Sequence, residues 1–241
     1  MELLRARGAE AISVPVMELE LLLTDAELEK LGERIVAGAW DDLVFTSANA
    51  VRLALPARGL GNQAARIFAI GPGTAAAVAR RGWEVEPLPL SFVAESLAES
   101  LLQAGMSGRR VLLPRAAGAR PVLPDALARA GAELHRVDLY RMVPDHSSRP
   151  ALESALADPQ LDCILFASGS SVRCFQALCQ GRAVAASVLV ACIGPITADA
   201  AEEAGLHPQL VADEHSLTGL LRALEMRLGP VPENGPRHEL S

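Results

Sequence analysis

The sequence predicts an α/β protein built from two similar domains, each with a parallel sheet covered by helices on both faces. Two observations predict this class. Short apolar runs alternate along the chain with helix-forming segments, as in proteins whose parallel strands are joined by helices. The second half also repeats the first at a spacing of about 123 residues, which indicates two copies of one folding unit.

The repeat is visible in three pairs of matching stretches. They match residues 7–10 with 130–133, residues 43–52 with 163–173, and residues 68–75 with 191–198. Two similar domains can face each other across a cleft, and clefts between domains often bind small ligands. We therefore expect this protein to hold a small molecule between its two halves.

Each element is assigned from apolar spacing and from the turn residues that bound it. The predicted strands are 11–16, 42–45, 66–70, 84–87, 110–113, 133–142, 163–166, 188–193 and 209–211. The predicted helices are 26–37, one that begins near Ala48, 74–81, 94–103, 122–130, 171–179, 197–204 and 216–227.

The two copies differ at the beginning of the chain. A strand and loop at 109–115 in the second copy have no counterpart in the first, whose opening residues match the helix at 125–129. We therefore expect the N-terminal strand of the first copy, about twenty residues with its loop, to be missing. At the other end, 229–241 is rich in Pro, Gly and charge and is predicted to be disordered.

Composition narrows the functional classes. Half of the 241 residues are hydrophobic, which is enough for two aliphatic cores. A net charge of −7 argues against a nucleic-acid partner, which would need a basic face. No apolar run is long enough for a membrane span. The four cysteines lack metal-binding spacing, so we expect a reduced cytoplasmic protein without a metal.

Polar residues and glycines follow four of the predicted strands. In open α/β sheets this carboxyl edge is where ligands bind, and helix N-termini there attract anions. Each junction is also compatible with ordinary helix capping, although four of them together favour a binding edge. The candidate binding residues are Thr46, Ser47, Gly71, Thr74, Ser168, Ser170, Gly194 and Thr197.

The segment Gly71–Ala76 is similar to a dinucleotide-binding fingerprint, G-x-G-x-x-A. Its repeat partner at 194–197 lacks the second glycine, and Glu84 and Glu86 come too early for the usual ribose contact. This pattern favours a tight turn over a nucleotide site.

Tyr140 is the only tyrosine of the chain and lies where the second repeat copy ends its strand. A phenol can donate a proton or a hydrogen bond. From the local sequence alone, a half-buried strand aromatic is the better explanation of this residue.

The order of these motifs resembles the uroporphyrinogen-III synthase family over nearly the whole chain. The matching motifs are 45–51, 70–75, 139–141, 166–168 and 193–198. The resemblance implies two flavodoxin-like domains joined by a two-stranded connector. One domain would hold 1–14 with 146–228 and the other 20–137, with connector strands at 14–20 and 138–145.

The resemblance also implies the reaction. Hydroxymethylbilane, which carries eight carboxylates, would lose water and close with its last pyrrole ring inverted, without a cofactor. Tyr140 would protonate the departing hydroxyl, and the eight candidate binding residues would hold carboxylates. Ser168-Gly169-Ser170 departs from the family's more usual Ser-Pro form. The expected protein is a monomer that contacts its substrate and, transiently, hydroxymethylbilane synthase.

Two other functions remain open from the sequence. A duplicated α/β protein of this kind could sense a ligand without catalysis, and Gly71–Ala76 could belong to a nucleotide-dependent enzyme. Tyr140 favours the synthase over the sensor, and the missing second glycine in the repeat disfavours the nucleotide enzyme. Arg52 and Arg173 occupy equivalent positions near helix starts and could reach carboxylates, but they are also compatible with exposed helix residues.

Overall fold

The computed structural model describes residues 2–57 and 65–229, which form two compact units. Residues 2–18 and 142–229 make up one of them, named here the terminal unit. Leu19–Arg141 make up the other, named the central unit. Of the segment predicted to be disordered, residues 230–241 lie outside the described part of the chain.

Strands and helices alternate along most of the described chain, which confirms the predicted α/β class. The strands are β1 Met17–Leu21, β2 Asp42–Phe45, β3 Arg66–Ala69, β4 Arg110–Ala116, β5 Glu133–Pro144, β6 Cys163–Phe166, β7 Leu189–Cys192 and β8 Leu210–Val211. The helices are α1 Glu2–Arg5, α2 Asp25–Val36, α3 Ala48–Ala54, α4 Pro72–Arg80, α5 Ala94–Gln103, α6 Val122–Arg129, α7 Arg149–Ala157, α8 Gly169–Cys179, α9 Pro195–Glu203 and α10 Leu217–Leu228.

A five-stranded sheet with the strand order β1-β5-β4-β2-β3 lies mostly in the central unit, and only the first residues of β1 and the last residues of β5 belong to the terminal unit. β2 pairs in parallel with β3 and β4, and β4 pairs in parallel with β5. β1 runs antiparallel to β5, because Leu22 N–H donates to Leu139 O at 2.9 Å while Asp145 N–H donates to Val16 O at 3.2 Å. The carboxyl ends of β2 to β5 therefore share one edge of the sheet.

The core of the central unit lies between this sheet and its helices. Val44, Phe68 and Val111 on three strands pack against Leu97 of α5 and Leu127 of α6. All four residues of β2 are buried, as expected for a central strand covered on both faces. This core fixes the positions of the loops at the carboxyl edge.

Asp42, at the amino end of β2, is a fully buried carboxylate. It accepts hydrogen bonds from Arg66 Nε at 2.6 Å and from Arg109 Nη2 at 3.1 Å. Its neighbour Asp41 accepts from Arg110 Nη2 at 2.7 Å and from the Arg110 backbone N–H at 2.9 Å. These two bonds lower the pKa of Asp41 to about 2. An ion-pair cluster therefore stabilises the end of the sheet opposite the carboxyl edge.

The terminal unit contains a parallel three-stranded sheet with the order β6-β7-β8. Phe166 at the end of β6 meets Phe175 of α8 edge-on, with ring centroids 5.2 Å apart. Burial raises the pKa of the Cys163 thiol to about 12 and that of Cys192 to about 11. Both thiols therefore stay protonated and pack as small apolar groups.

Two predicted strands are absent, and one helix was missed. Residues 11–16 form no strand, because their apolar side chains Val14 and Val16 pack against the core of the terminal unit instead of alternating in a sheet. Residues 84–87 form no strand either: Glu86 N–H bonds Ile67 O, but Pro87 has no N–H with which to continue a ladder. The helix Arg149–Ala157 was not predicted, although Pro150 suits its first turn.

Candidate active site

Two strand-to-helix junctions lie at the carboxyl edge of the central unit. After Phe45 ends β2, Thr46 and Ser47 lead into α3. After Ala69 ends β3, the chain passes through Gly71 into α4. Because β2 and β3 are adjacent and parallel, the two junctions are neighbours. The sheet topology thus brings four of the predicted binding residues to one edge.

Ser47 and Tyr140 are brought into direct contact at this edge. The Ser47 Oγ lies 2.9 Å from the Tyr140 Oη, and either hydroxyl can be the donor. Ser47 also caps α3, because its Oγ accepts the Ala50 N–H at 3.0 Å. Tyr140 is 4% exposed, so its ring is held in the protein and its hydroxyl points to the helix start. The predicted acid therefore has a second hydroxyl group as its partner.

Gly71 and Thr74 occupy the start of α4. Gly71 is the residue before the helix, and its extended backbone is accessible to any amino acid. A Cβ at this position would lie 3.0 Å from Cγ of Phe92, so a side chain here would need the Phe92 ring to shift by a few tenths of an ångström. Thr74 is 6% exposed, and its hydroxyl makes no hydrogen bond to any described residue.

Thr46 lines a small cavity of about 150 Å³ at the same edge. Its apolar lining comes from Ile70, Ala94, Leu113, Ala119 and Leu123. The side chains of Arg115 and Arg120 add positive charge. Arg120 forms an ion pair with Glu95. A cavity with an apolar lining and guanidinium groups suits a short carboxylate side chain.

The sequence did not identify Arg115 as a site residue. Its guanidinium group is nearly buried and donates to the carbonyl oxygens of Ala116, Ala119 and Arg120, so it organises the loop after β4. Burial lowers the pKa of Arg115, opposed by Asp138, whose Oδ1 is 3.6 Å away. The available signal was its position near the carboxyl end of β4, shortly after the apolar run 111–113, much as Thr46 follows the apolar run of β2.

The terminal unit repeats the first of these junctions. Ser168 precedes α8, and its Oγ accepts the Ser171 N–H at 3.1 Å, as Ser47 does for α3. Ser170 Oγ accepts a hydrogen bond from Arg173 Nη2 at 3.4 Å. Ser168 Oγ also donates to Ser171 Oγ at 3.3 Å. The structure therefore gives Ser168 a capping role, and its partner is a neighbouring serine.

The terminal unit also repeats the second junction. Gly194 precedes α9 with an extended backbone, and a Cβ there would lie 3.0 Å from Cδ2 of His215. Thr197 is 4% exposed, and its hydroxyl, like that of Thr74, makes no hydrogen bond to any described residue. The one buried side-chain atom without a partner in the described part of the chain is Asp138 Oδ1, so both threonine hydroxyls open to solvent.

The helix starts give each unit the chemistry of an anion site. The N-terminal ends of α4, α8 and α9 carry partial positive charge, and a threonine hydroxyl without a hydrogen bond to any described residue adds a donor to α4 and α9. Arg52 and Arg173 are exposed, and each turns back to a residue in the first turn of its own helix, Asn49 and Ser170 respectively. Substrate binding by all these residues stays a prediction.

Residues 2–57 and 65–229 contain neither a metal-binding cluster nor a membrane-spanning helix. No group of three or more His, Cys, Asp or Glu side chains in these ranges could hold a metal ion. No helix in the same ranges is long and apolar enough to cross a membrane.

The fold and its edges define a class of protein: a duplicated α/β chain with capped, anion-attracting helix starts and a single phenol at one of them. The chain matches the family described as uroporphyrinogen-III synthase HemD over residues 1–222. It therefore belongs to the uroporphyrinogen-III synthase family, which is a family of enzymes.

Named relatives agree with this assignment. The chain is 34% identical over 236 residues to the uroporphyrinogen-III synthase of Synechococcus elongatus, covering 92% of this chain and 88% of the relative. It is 27% identical over 184 residues to that of Chlorobaculum parvum, covering 71% and 73%.

Solved structures share the fold. Uroporphyrinogen-III synthetase from Helicobacter pylori matches with a TM-score of 0.66 at 20% identity, over 91% of this chain and 94% of that one. A mutant uroporphyrinogen III synthase from Thermus thermophilus matches with a TM-score of 0.60 at 23% identity, over 94% and 92%. Both likenesses support the two-domain α/β fold predicted from the sequence.

Proposed function

We propose that this chain is a uroporphyrinogen-III synthase, a hydro-lyase that converts hydroxymethylbilane into uroporphyrinogen III and water. The terminal hydroxyl leaves, the last pyrrole ring attacks through its substituted carbon, and the spiro intermediate reopens and closes with that ring inverted. Membership of the family favours this enzyme over a non-catalytic ligand-sensing module on the same fold.

The hydrogen bond between Ser47 and Tyr140 is the observation that carries the proposal. The two hydroxyl groups share one hydrogen in that bond, and the Ala50 N–H occupies a lone pair of Ser47 Oγ. The other hydroxyl hydrogen of the pair is left to donate to the departing hydroxyl of the substrate. A buried, fixed phenol at this edge is thus placed to act as the acid together with Ser47.

The proton that the Ser47–Tyr140 pair gives to the leaving hydroxyl is returned to the pair by the end of the reaction. When the pair gives up its proton, the C–O bonding electrons leave with the oxygen as water, and the pyrrole nitrogen stabilises the resulting cation. The partner hydroxyl donates to the oxygen that has lost its proton, which stabilises the transient anion. After the spiro intermediate reopens, the final C–C bond forms at the unsubstituted α-carbon of the last pyrrole ring. This carbon then loses its proton, which restores the pair.

Carboxylate binding in the proposal rests on hydroxyl and backbone N–H groups, which hold anions without a basic surface. This explains how a chain of net charge −7 can accept a polyanion. The proposed contacts are Thr46, Ser47, Gly71, Thr74, Ser168, Ser170, Gly194 and Thr197, with Tyr140 as the catalytic residue.

The proposed reaction has specific requirements for cofactors, partners and location. The chemistry needs no cofactor, because the leaving group departs with a proton and the pyrrole supplies the electrons. Hydroxymethylbilane closes to isomer I without an enzyme, so a transient contact with hydroxymethylbilane synthase would protect it. We propose a monomer that works in the cytoplasm.

The test is the isomer ratio of uroporphyrinogen formed from freshly generated hydroxymethylbilane, with and without the full chain. We expect isomer III with the protein and isomer I without it. Isomer I alone in the presence of folded protein would overturn the proposal and leave the ligand-sensing module as the better explanation.

A further inference from the structure

A ring side chain covers the glycine before a helix in each unit. In the central unit the ring is Phe92, whose Cγ lies 3.0 Å from where a Cβ on Gly71 would be. In the terminal unit it is His215, whose Cδ2 and Cγ lie 3.0 and 3.1 Å from a Cβ position on Gly194. Since both glycines have extended backbones, a side chain there would meet these rings and not a backbone restriction.

The two rings are repeat counterparts. Phe92 and His215 are separated by the same number of residues as Gly71 and Gly194, and as Thr74 and Thr197. Both precede a helix by a few residues, α5 in one unit and α10 in the other. Each repeat thus contains the same combination of a ring side chain, a glycine before a helix and a threonine in the first turn of that helix.

Packing of the protein alone does not account for the exposure of these rings. Phe92 remains 57% exposed although one side of it rests on Gly71, and His215 is also exposed. A phenyl group held against backbone has few conformations left to lose, which favours a contact with a flat ligand. Beside each ring lies a helix start with a threonine whose side chain is nearly buried, while its hydroxyl is open to solvent and makes no hydrogen bond within residues 2–57 and 65–229.

We propose that Phe92 and His215 are substrate-binding residues that each stack on a pyrrole ring of the tetrapyrrole. A carboxylate arm of that pyrrole reaches the neighbouring helix start, at Thr74 in the central unit and at Thr197 in the terminal unit. Pyrrole is a flat, electron-rich ring with short carboxylate arms, so one contact for the ring and one for the arm match its two parts. This inference rests on the proposed synthase function.

The experiment compares variants that keep or remove the flat ring. Phe92→Leu and His215→Leu keep apolar volume but lose the ring, whereas Phe92→Tyr and His215→Phe keep a ring. With hydroxymethylbilane as substrate, we expect the leucine variants to raise KM about threefold to tenfold with little change in kcat. The ring-keeping variants should stay within about twofold of the wild-type KM.

Leu90→Ala and Met226→Ala are matched controls, because both side chains are strongly exposed and neither contacts a helix-start glycine. Tm of every variant is measured, since a purely structural role would lower Tm without a selective rise in KM. Unchanged KM in both leucine variants, with a wild type that makes isomer III, overturns this inference alone. A wild type that makes only isomer I overturns the proposed function as well.

Discussion

The carboxyl edges of the central and terminal units carry the same capping residues, but they differ in what those residues contact. Ser47 and Ser168 each accept an N–H three residues ahead. Beyond that shared bond, Ser47 meets the Tyr140 hydroxyl at 2.9 Å, whereas Ser168 meets the hydroxyl of Ser171 at 3.3 Å. The two serines therefore cap their helices in the same way, but only the serine of the central unit contacts a tyrosine.

The opposite ends of the two sheets differ as well. The first residue of β2 is Asp42, buried between Arg66 and Arg109, and the first residue of β6 is Cys163. A buried carboxylate destabilises the folded protein unless cationic side chains pair with it, whereas a buried thiol needs no partner. This difference predicts that the two units respond unequally to equivalent substitutions.

The largest expected effect is on stability, from Asp42→Ala. Removing the carboxylate leaves two neighbouring guanidinium groups without their partner, and we expect the free energy of unfolding to fall by about 3 kcal/mol. Cys163→Ala, the matched change in the terminal unit, should cost about 1 kcal/mol or less. Urea unfolding followed by circular dichroism measures both. Equal losses for the two variants would contradict the assigned role of the ion-pair cluster.

The next largest effect is on catalysis, from Tyr140→Phe. We expect kcat to fall about tenfold, because much of the rate comes from holding the two ends of the substrate together and only part from the acid. Tm should change little, since the aromatic ring is kept. Steady-state rates and the isomer ratio measure the effect. Full activity with complete isomer III specificity would remove Tyr140 from the mechanism, and complete loss would give the acid a larger role.

The sequence predicted most of the fold because the signals that it uses are local. Apolar runs such as 42–45 and 163–166 match β2 and β6 residue for residue. The error at 11–16 arose because Val14 and Val16 are apolar for tertiary packing, which a periodicity cannot distinguish from a strand. The same limit applies to the short segment 84–87.

The sequence could propose candidate site residues, but not the contacts that they make. Ser47 and Tyr140 are far apart in the chain, so their hydrogen bond depends on the order β5-β4-β2 in the sheet. The burial of Arg115 and the packing of Phe92 on Gly71 likewise depend on tertiary structure. The glycine motifs were visible, but the rings that pack on Gly71 and Gly194 lie outside those motifs.

A smaller effect should separate the two serine caps. Ser47→Ala and Ser168→Ala each remove one capping bond and should each lower the free energy of unfolding by about 1 kcal/mol. Only Ser47→Ala should also lower kcat, by severalfold, because it removes the partner of Tyr140. Parallel unfolding and rate measurements test this. In the double variant with Tyr140→Phe, fully additive losses in kcat would show that the two hydroxyls act independently.

The smallest expected effect is the acid dependence due to Asp41. Its folded pKa of about 2 lies below the ordinary value near 4, because Arg110 donates to the carboxylate. A depressed folded pKa adds stability that is complete above about pH 4 and lost as the pH falls toward 2. The stability gap between wild type and Asp41→Asn should therefore shrink over this range. Asp162→Asn, the exposed counterpart before β6, is the control. A gap that stays constant from about pH 4 to about pH 2 would mean that the Asp41–Arg110 pair contributes nothing to folding, and the contrast between the amino ends of the two sheets would then rest on Asp42 alone.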